Sequence, residues 1–267
     1  MTVLSRPPVK FDKPPVVEVA CGVSFELPKP LKSAHVGLYW SRVSAEFPRC
    51  DDAQPITPIF ENPSAADPLE LSLQLEPVSL PLLRRAWLIN EPGTHLLQIQ
   101  QDRFVFNWKR VDESPMYPSY AQVVADFRIQ WGRFKDFLAE QDLGEASVTQ
   151  LEMTYFNFVP GDDQPVLRDH VRDMASDRFL PVPEAVAIRH LYALPEGNGR
   201  LHVAASSARQ ASSGVKGTRI EMTARGLPRN TSNEGCDKWF DLAHEWITHG
   251  FADITTDSTH AIWGRTA

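Results

Sequence analysis

Three strand-sized segments in the middle of the chain, RRAWLIN (84–90), HLLQIQ (95–100) and RFVFNWK (103–109), are separated only by EPGT and by Gln101–Asp102. Connections this short cannot carry the chain back over a sheet, so the three strands must run as an antiparallel meander. A long amphipathic helix follows from Ser119 to Glu140, with Tyr120, Val123, Val124, Phe127, Trp131, Phe134 and Leu138 on one face. A meander followed by such a helix predicts an α+β fold, with helices packed on antiparallel sheets.

The same order of elements recurs along the chain. From Pro15, PVVEVACGVSFEL predicts a strand. Ser33 then opens a helix in which Val36, Tyr39, Trp40, Val43 and Phe47 recur at helical spacing until Pro48 stops it. Residues 48–68 hold five prolines and read as a long structured loop. LELSLQLE (69–76) alternates leucine with polar residues and predicts a half-buried strand. After Gly144 the pattern restarts: ASVTQLEMTYFNFVP as a strand, VLRDHVRDMASDRF as a helix, a hairpin around Gly-Asn-Gly (197–199), and TRIEMTARG as a strand. The serine-rich ASSARQASSGVKG reads as a loop between strands. A last helix is expected from about Gly235 to His249, capped by Asn233 and ended by Gly250, with Trp239, Ala243, Trp246 and Ile247 inward. The expected organisation is an extended arm (1–14), a first α+β repeat (15–144) and a second (145–267). It is a tandem duplication of a strand–helix–antiparallel meander–helix unit. The halves could share one sheet or pack as a pseudo-dimer.

Composition narrows the function. With 267 residues, 42% of them hydrophobic, the chain can bury a sizeable core as one large domain or two modest ones. Its apolar runs are far too short for a membrane span, and no apolar stretch precedes the first prolines, so neither membrane insertion nor secretion is expected. Cys21, Cys50 and Cys236 are widely spaced and odd in number, which predicts buried free thiols in a reducing cytoplasm and no disulfide or zinc site. A net charge of -7 argues against wrapping a nucleic acid. Arg84, Arg85, Arg103, Lys109 and Arg110 form the one segment where a nucleic acid could sit, and a solvated sheet face is the favoured account of them.

No phosphate loop, nucleophile elbow or dinucleotide fingerprint is present, so no catalytic residue, cofactor or metal is expected. HEWITH (244–249) imitates a zinc-protease motif, but its histidines are five residues apart. On a helix five residues turn through about 500°, which separates the rings. His249 is instead expected to stabilise a helix end. His190 and His202 flank the second hairpin and could face each other across it. Glu18 and Glu152 lie among apolar residues in the opening strands of their halves, where each needs a structural partner, an arginine being the natural one. In RFVFNWK, Phe104, Phe106 and Trp108 define a buried face and the alternate residues a polar one. A binding surface on that polar face would comprise Gln98, Gln100, Arg103, Asn107 and Lys109.

The opening PPVVEVACGVSFE, the block RAWLINEPGTHLLQIQQDRFVFNWKR with YP after it, WGRFKDF, VTQLEMTYFN and the ending HAIWGR resemble a prokaryotic family of similar length and unknown function. The resemblance spans Pro14 to Arg265, and the family is distributed sporadically among bacteria and archaea. It implies no catalytic residues; its distribution suits mobile, defence-related gene cassettes. The expected function is therefore a non-enzymatic interaction protein, a subunit or an adaptor/antitoxin-like partner in a prokaryotic multi-gene system, with its protein partner encoded nearby. The alternatives are a small-molecule or nucleotide-binding enzyme with its site between the repeats, and binding of single-stranded or structured nucleic acid through the Arg84–Arg110 face.

Overall fold

In the computed structural model the described residues are 7–57, 59–61, 83–111, 117–161, 186–210 and 213–266. Among the described residues nine strands run in chain order: β1 (Val16–Glu26), β2 (Arg49–Ala53), β3 (Arg85–Ile89), β4 (His95–Gln100), β5 (Arg103–Lys109), β6 (Ser147–Pro160), β7 (Ala187–Ala193), β8 (Arg200–Arg209) and β9 (Lys216–Gly226). They form one antiparallel sheet in the order β2-β3-β4-β5-β1-β6-β9-β8-β7. The helices are α1 (Ser33–Val43), α2 (Tyr120–Glu140), α3 (Asn233–Ile254) and α4 (Asp257–Trp263). The protein is thus α+β, and the meander lies where the short connections require it. The strand expected at 69–76 and the helix expected at 166–179 lie outside the described residues.

One sheet face carries the core. Val19, Cys21, Val23 and Phe25 of β1 alternate inward beside Phe104, Phe106 and Trp108 of β5 and Leu151, Met153 and Tyr155 of β6. Helix α2 covers β5 and β1, and α3 covers β6, β9 and β8. Phe134 of α2 is wholly buried, stacked on Phe104 with ring centres 5.1 Å apart and met edge-on by Tyr39 of α1, also at 5.1 Å. Aromatic packing of this kind joins α1, α2 and the sheet into one core.

Several boundaries differ from the sequence reading, each for a physical reason. The segment 48–68 does not stay a loop throughout. Arg49–Ala53 pairs with β3 as the sheet's edge, and its polar, largely exposed residues carry none of the alternation that marks a half-buried strand. Helix α3 is capped by Ser232, whose hydroxyl accepts from the Gly235 N–H, and not by Asn233. Gly250 does not end it. A Cβ there would stand 2.9 Å from Met222 and 3.3 Å from Leu201, so the glycine lets the helix lie close on the sheet. His249 therefore sits inside the helix. Of the three thiols only Cys21 is buried; Cys236 is partly so and Cys50 exposed.

The arm is not free along its length. Phe11 bridges Arg265, and Asp12 and Lys13 donate backbone hydrogen bonds to Gly264 and Trp263. The Phe11 ring meets Phe251 edge-on at 5.7 Å and Trp263 at 6.0 Å. Residues 10–13 thus staple the beginning of the chain to its end. Gly264 closes α4 in the left-handed conformation (φ 65°), with Asp12 too near for a side chain.

Candidate polar sheet face

The face away from the helices is polar, and its residues fall into rows across the strands. One row holds Gln100, Arg103, Ser24 and Gln150, and continuing the β3–β4 register by one residue adds Arg85. The next holds Trp87, Gln98, Val105, Gly22, Glu152, Arg225 and Arg200. A third runs from Leu96 through Asn107, Ala20, Thr154 and Thr223 to His202.

The structure brings all five predicted site residues onto this one face, but it does not leave them solvated. Gln98, Gln100, Arg103 and Asn107 are buried, and only Lys109 is exposed. A directional chain of hydrogen bonds links three of the rows. Arg85 Nη1 and Trp87 Nε1 donate to Gln98 Oε1 (2.8 and 3.2 Å), Gln98 Nε2 to Asn107 Oδ1 (2.7 Å), and Asn107 Nδ2 to Glu18 Oε1 (2.6 Å). Every link runs from the cation toward the carboxylate, an arrangement that keeps each buried amide satisfied.

Part of the chain's own 54–61 segment covers the face as a strap. Gln100 grips Ile56 at both main-chain atoms: Oε1 accepts from the Ile56 N–H at 2.7 Å and Nε2 donates to its carbonyl at 2.9 Å. Gln150 repeats the device, accepting from the Glu61 N–H and donating to the Ile59 carbonyl, each at 2.8 Å. The strap then locks onto β8. Glu61, with a side chain only 6% exposed, takes a hydrogen bond from Arg200 at 3.3 Å and a very short one with His202 Nε2. Burial pushes the Glu61 carboxyl up. The His202 bond and charge, the Arg200 bond and the Arg225 charge outweigh that and hold it below the usual glutamate value. Glu61, Gln150 and Arg200 were not among the predicted site residues, and Arg85 entered only as part of the candidate nucleic-acid segment. They lie on three different strands and in the 54–61 segment, so no local pattern joins them.

Glu152 has the arginine partner expected of it, Arg225 at 2.5 Å. Glu18 does not: its hydrogen-bond partner is Asn107, with Lys109 supplying charge from the adjacent strand. Burial raises the Glu18 carboxyl above the ordinary glutamate value of 4.5, although Lys109 and Asn107 pull it back. Between 4.5 and that raised value the folded chain holds a proton that the unfolded chain has lost, so stability falls as pH rises through the window. Glu18→Gln is expected to keep the Asn107 bond and abolish that decline. Urea denaturation between pH 4 and 8 checks it, and an unchanged pH slope in the variant would contradict it.

The remaining candidates are separated by the fold. His190 pairs in register with Val203, and His202 with Leu191, so the two histidines lie on opposite faces of the hairpin and do not face each other. His244 lies on α3: its Nδ1 is 3.1 Å from the Tyr155 hydroxyl, and the ring stacks flat on Tyr120 of α2 at 4.0 Å. Burial pushes its imidazole down to about 4, which leaves it neutral at pH 7. Tyr155 also meets the Tyr117 hydroxyl at 2.8 Å, and Tyr120 donates to Asp241 at 2.7 Å. The sequence placed Tyr120 on the inner face of its helix and gave none of these hydroxyls a role. A cavity of about 310 Å³ opens between α2 and α3 over Val23 and Leu151, with Trp131, Lys135 and Cys236 in its walls. Among the described residues no cluster of His, Cys, Asp and Glu could hold a metal ion, and no helix is long and apolar enough to cross a membrane. No protein-family model, curated protein or solved structure matches the chain, so the geometry carries the functional reading.

Proposed function

We propose that this protein is a non-enzymatic interaction protein, a subunit or adaptor/antitoxin-like partner in a prokaryotic multi-gene system, and that its polar sheet face holds extended polypeptide. One observation carries the reading. Gln100 and Gln150 each bind an N–H and a C=O of the chain crossing them, a contact that recognises extended backbone whatever its side chains. Buried amides that match a main chain in this way give affinity without demanding one sequence.

The strand order supports the duplication read from the sequence, with halves 15–144 and 145–267. Outward from β1 the strands run β5-β4-β3, and outward from β6 they run β9-β8-β7, the same order on each side. The resemblance to a sporadic prokaryotic family points to a partner encoded nearby, and a defence-related cassette fits that setting. The test is co-expression with the products of adjacent genes. A stable complex whose formation alters hydrogen exchange in β4, β5 and residues 54–61 is expected. A protein that stays monomeric with every neighbour would end the proposal.

A second reading, a small-molecule enzyme with its site between the halves, draws on the cavity between α2 and α3. Saturable quenching of Trp131 fluorescence by a metabolite would favour it. Nucleic-acid binding has less support. Arg84 pairs with Asp52, Arg103 is buried, and Arg110 reaches toward the Pro14 carbonyl, so the cations between 84 and 110 form no single exposed stripe.

A further inference from the structure

The carboxylates over the middle of the polar face are engaged. Glu61 pairs with Arg200 and His202, Glu152 with Arg225, and Glu18 accepts from Asn107 beside Lys109. Asp102 accepts from Gln100 Nε2 at 3.0 Å. Two cations in the Gln100 row have no carboxylate partner among the described residues. Arg103 is 9% exposed and has no hydrogen-bond or ion-pair partner among the described residues. Arg85 spends one Nη on Gln98, and its Nε is buried without a partner. Both flank Gln100 in one row of the sheet. Two strand spacings of about 4.8 Å put their backbones roughly 10 Å apart, within which two arginine side chains can converge on one group. Arg85 feels the charge of Arg103: burial first, and then that neighbouring cation, lowers its pKa.

Two guanidinium groups in one row, one buried and one half-buried, with no carboxylate between them repel each other and leave donors unmet. The same pair is the arrangement that grips a planar or tetrahedral oxyanion with several charge-assisted hydrogen bonds. We propose that Arg85 and Arg103 form a binding site for a small oxyanion of the phosphate or carboxylate class. Trp87 forms one wall beneath the Arg85 guanidinium, 5.4 Å from its ring centre, and Gln98 fixes that guanidinium's orientation. The site shares the face proposed above for polypeptide binding and rests on that reading only for its biological use. It would let the face select a segment carrying an acidic or phosphorylated side chain.

The experiment uses the full chain, freed of anions by dialysis, and titrates inorganic phosphate or acetate against sodium chloride at matched ionic strength. Calorimetry and Tm are the readouts. Saturable binding with a rise in Tm above the chloride control is expected for phosphate, for acetate, or for both; the arm that responds names the source. Arg103→Met should abolish it, and Arg103→Lys, which keeps the charge but loses the fork, should weaken it by roughly tenfold or more. Without added anion Arg103→Met should melt no lower than the wild type, because a like-charge contact is gone. A Tm rise no greater than that from chloride would overturn the site, as would binding that survives in either variant unchanged. If Arg103→Met fails to fold, Arg85→Gln and Arg103→Lys decide the matter by the same readouts. Oxyanion binding without any protein partner would leave this site standing and remove the interaction reading; a partner complex indifferent to Arg103 would do the reverse.

Discussion

Phe134→Ala is expected to cost about 3–5 kcal/mol of folding stability, the usual range for emptying a buried phenylalanine site. The residue has no exposed surface and holds Phe104 of the sheet, Tyr39 of α1 and Phe25 of β1 within ring-contact range. The loss therefore removes more than one side chain's burial. It opens a void where three elements meet, and neighbours fixed by other rings cannot collapse into it. Equilibrium denaturation in urea measures the cost. A loss below about 1.5 kcal/mol would mean that α1 and α2 repack and that the aromatic cluster is not what joins them to the sheet.

The second large effect concerns the strap. Glu61→Ala is expected to cost about 3 kcal/mol, because breaking a buried ion pair leaves the Arg200 cation uncompensated. Arg200 and His202, at 11% and 24% side-chain exposure, would lose their shared carboxylate. The effect has a pH signature. Glu61 is held below the ordinary glutamate value of 4.5 in the folded chain. As pH falls below about the unfolded value, the unfolded chain takes up a proton first, and the stabilisation drains away through the folded value. Wild-type stability should thus drop in acid by more than that of Glu61→Gln, which has no carboxylate to protonate. Equal acid sensitivity of the two, measured by denaturation from pH 3 to 7, would show that the carboxylate adds nothing.

The meander, α2 and the long strand β6 were legible because each carries a strong period of its own. Phe104, Phe106 and Trp108 alternate, and Val123, Phe127, Trp131 and Phe134 recur at helical spacing. Strand β2 was not legible, because an edge strand of Arg49, Cys50, Asp51 and Asp52 needs no apolar face. The far end of α3 was hidden by Gly250, which has the residue type of a helix stop and the role of a close approach. The polar face shows the deeper reason that sites resist sequence reading. Gln98, Gln100, Arg103 and Asn107 were recognisable as one strand face, yet their burial depends on what lies over them. The contacts of the strap join residues 44, 89 and 139 positions apart. No local pattern records such a meeting.

That two glutamines hold extended main chain against the polar face is the claim on which the functional reading stands. Amide hydrogen exchange in Gln100→Ala and Gln150→Ala tests it most directly. In the wild type the N–H groups of Ile56 and Glu61 should exchange slowly. Gln100→Ala should release Ile56, and Gln150→Ala should release Glu61, while the β4–β5 ladder stays protected. Ile56 and Glu61 amides that exchange at the wild-type rate in both variants would contradict the account.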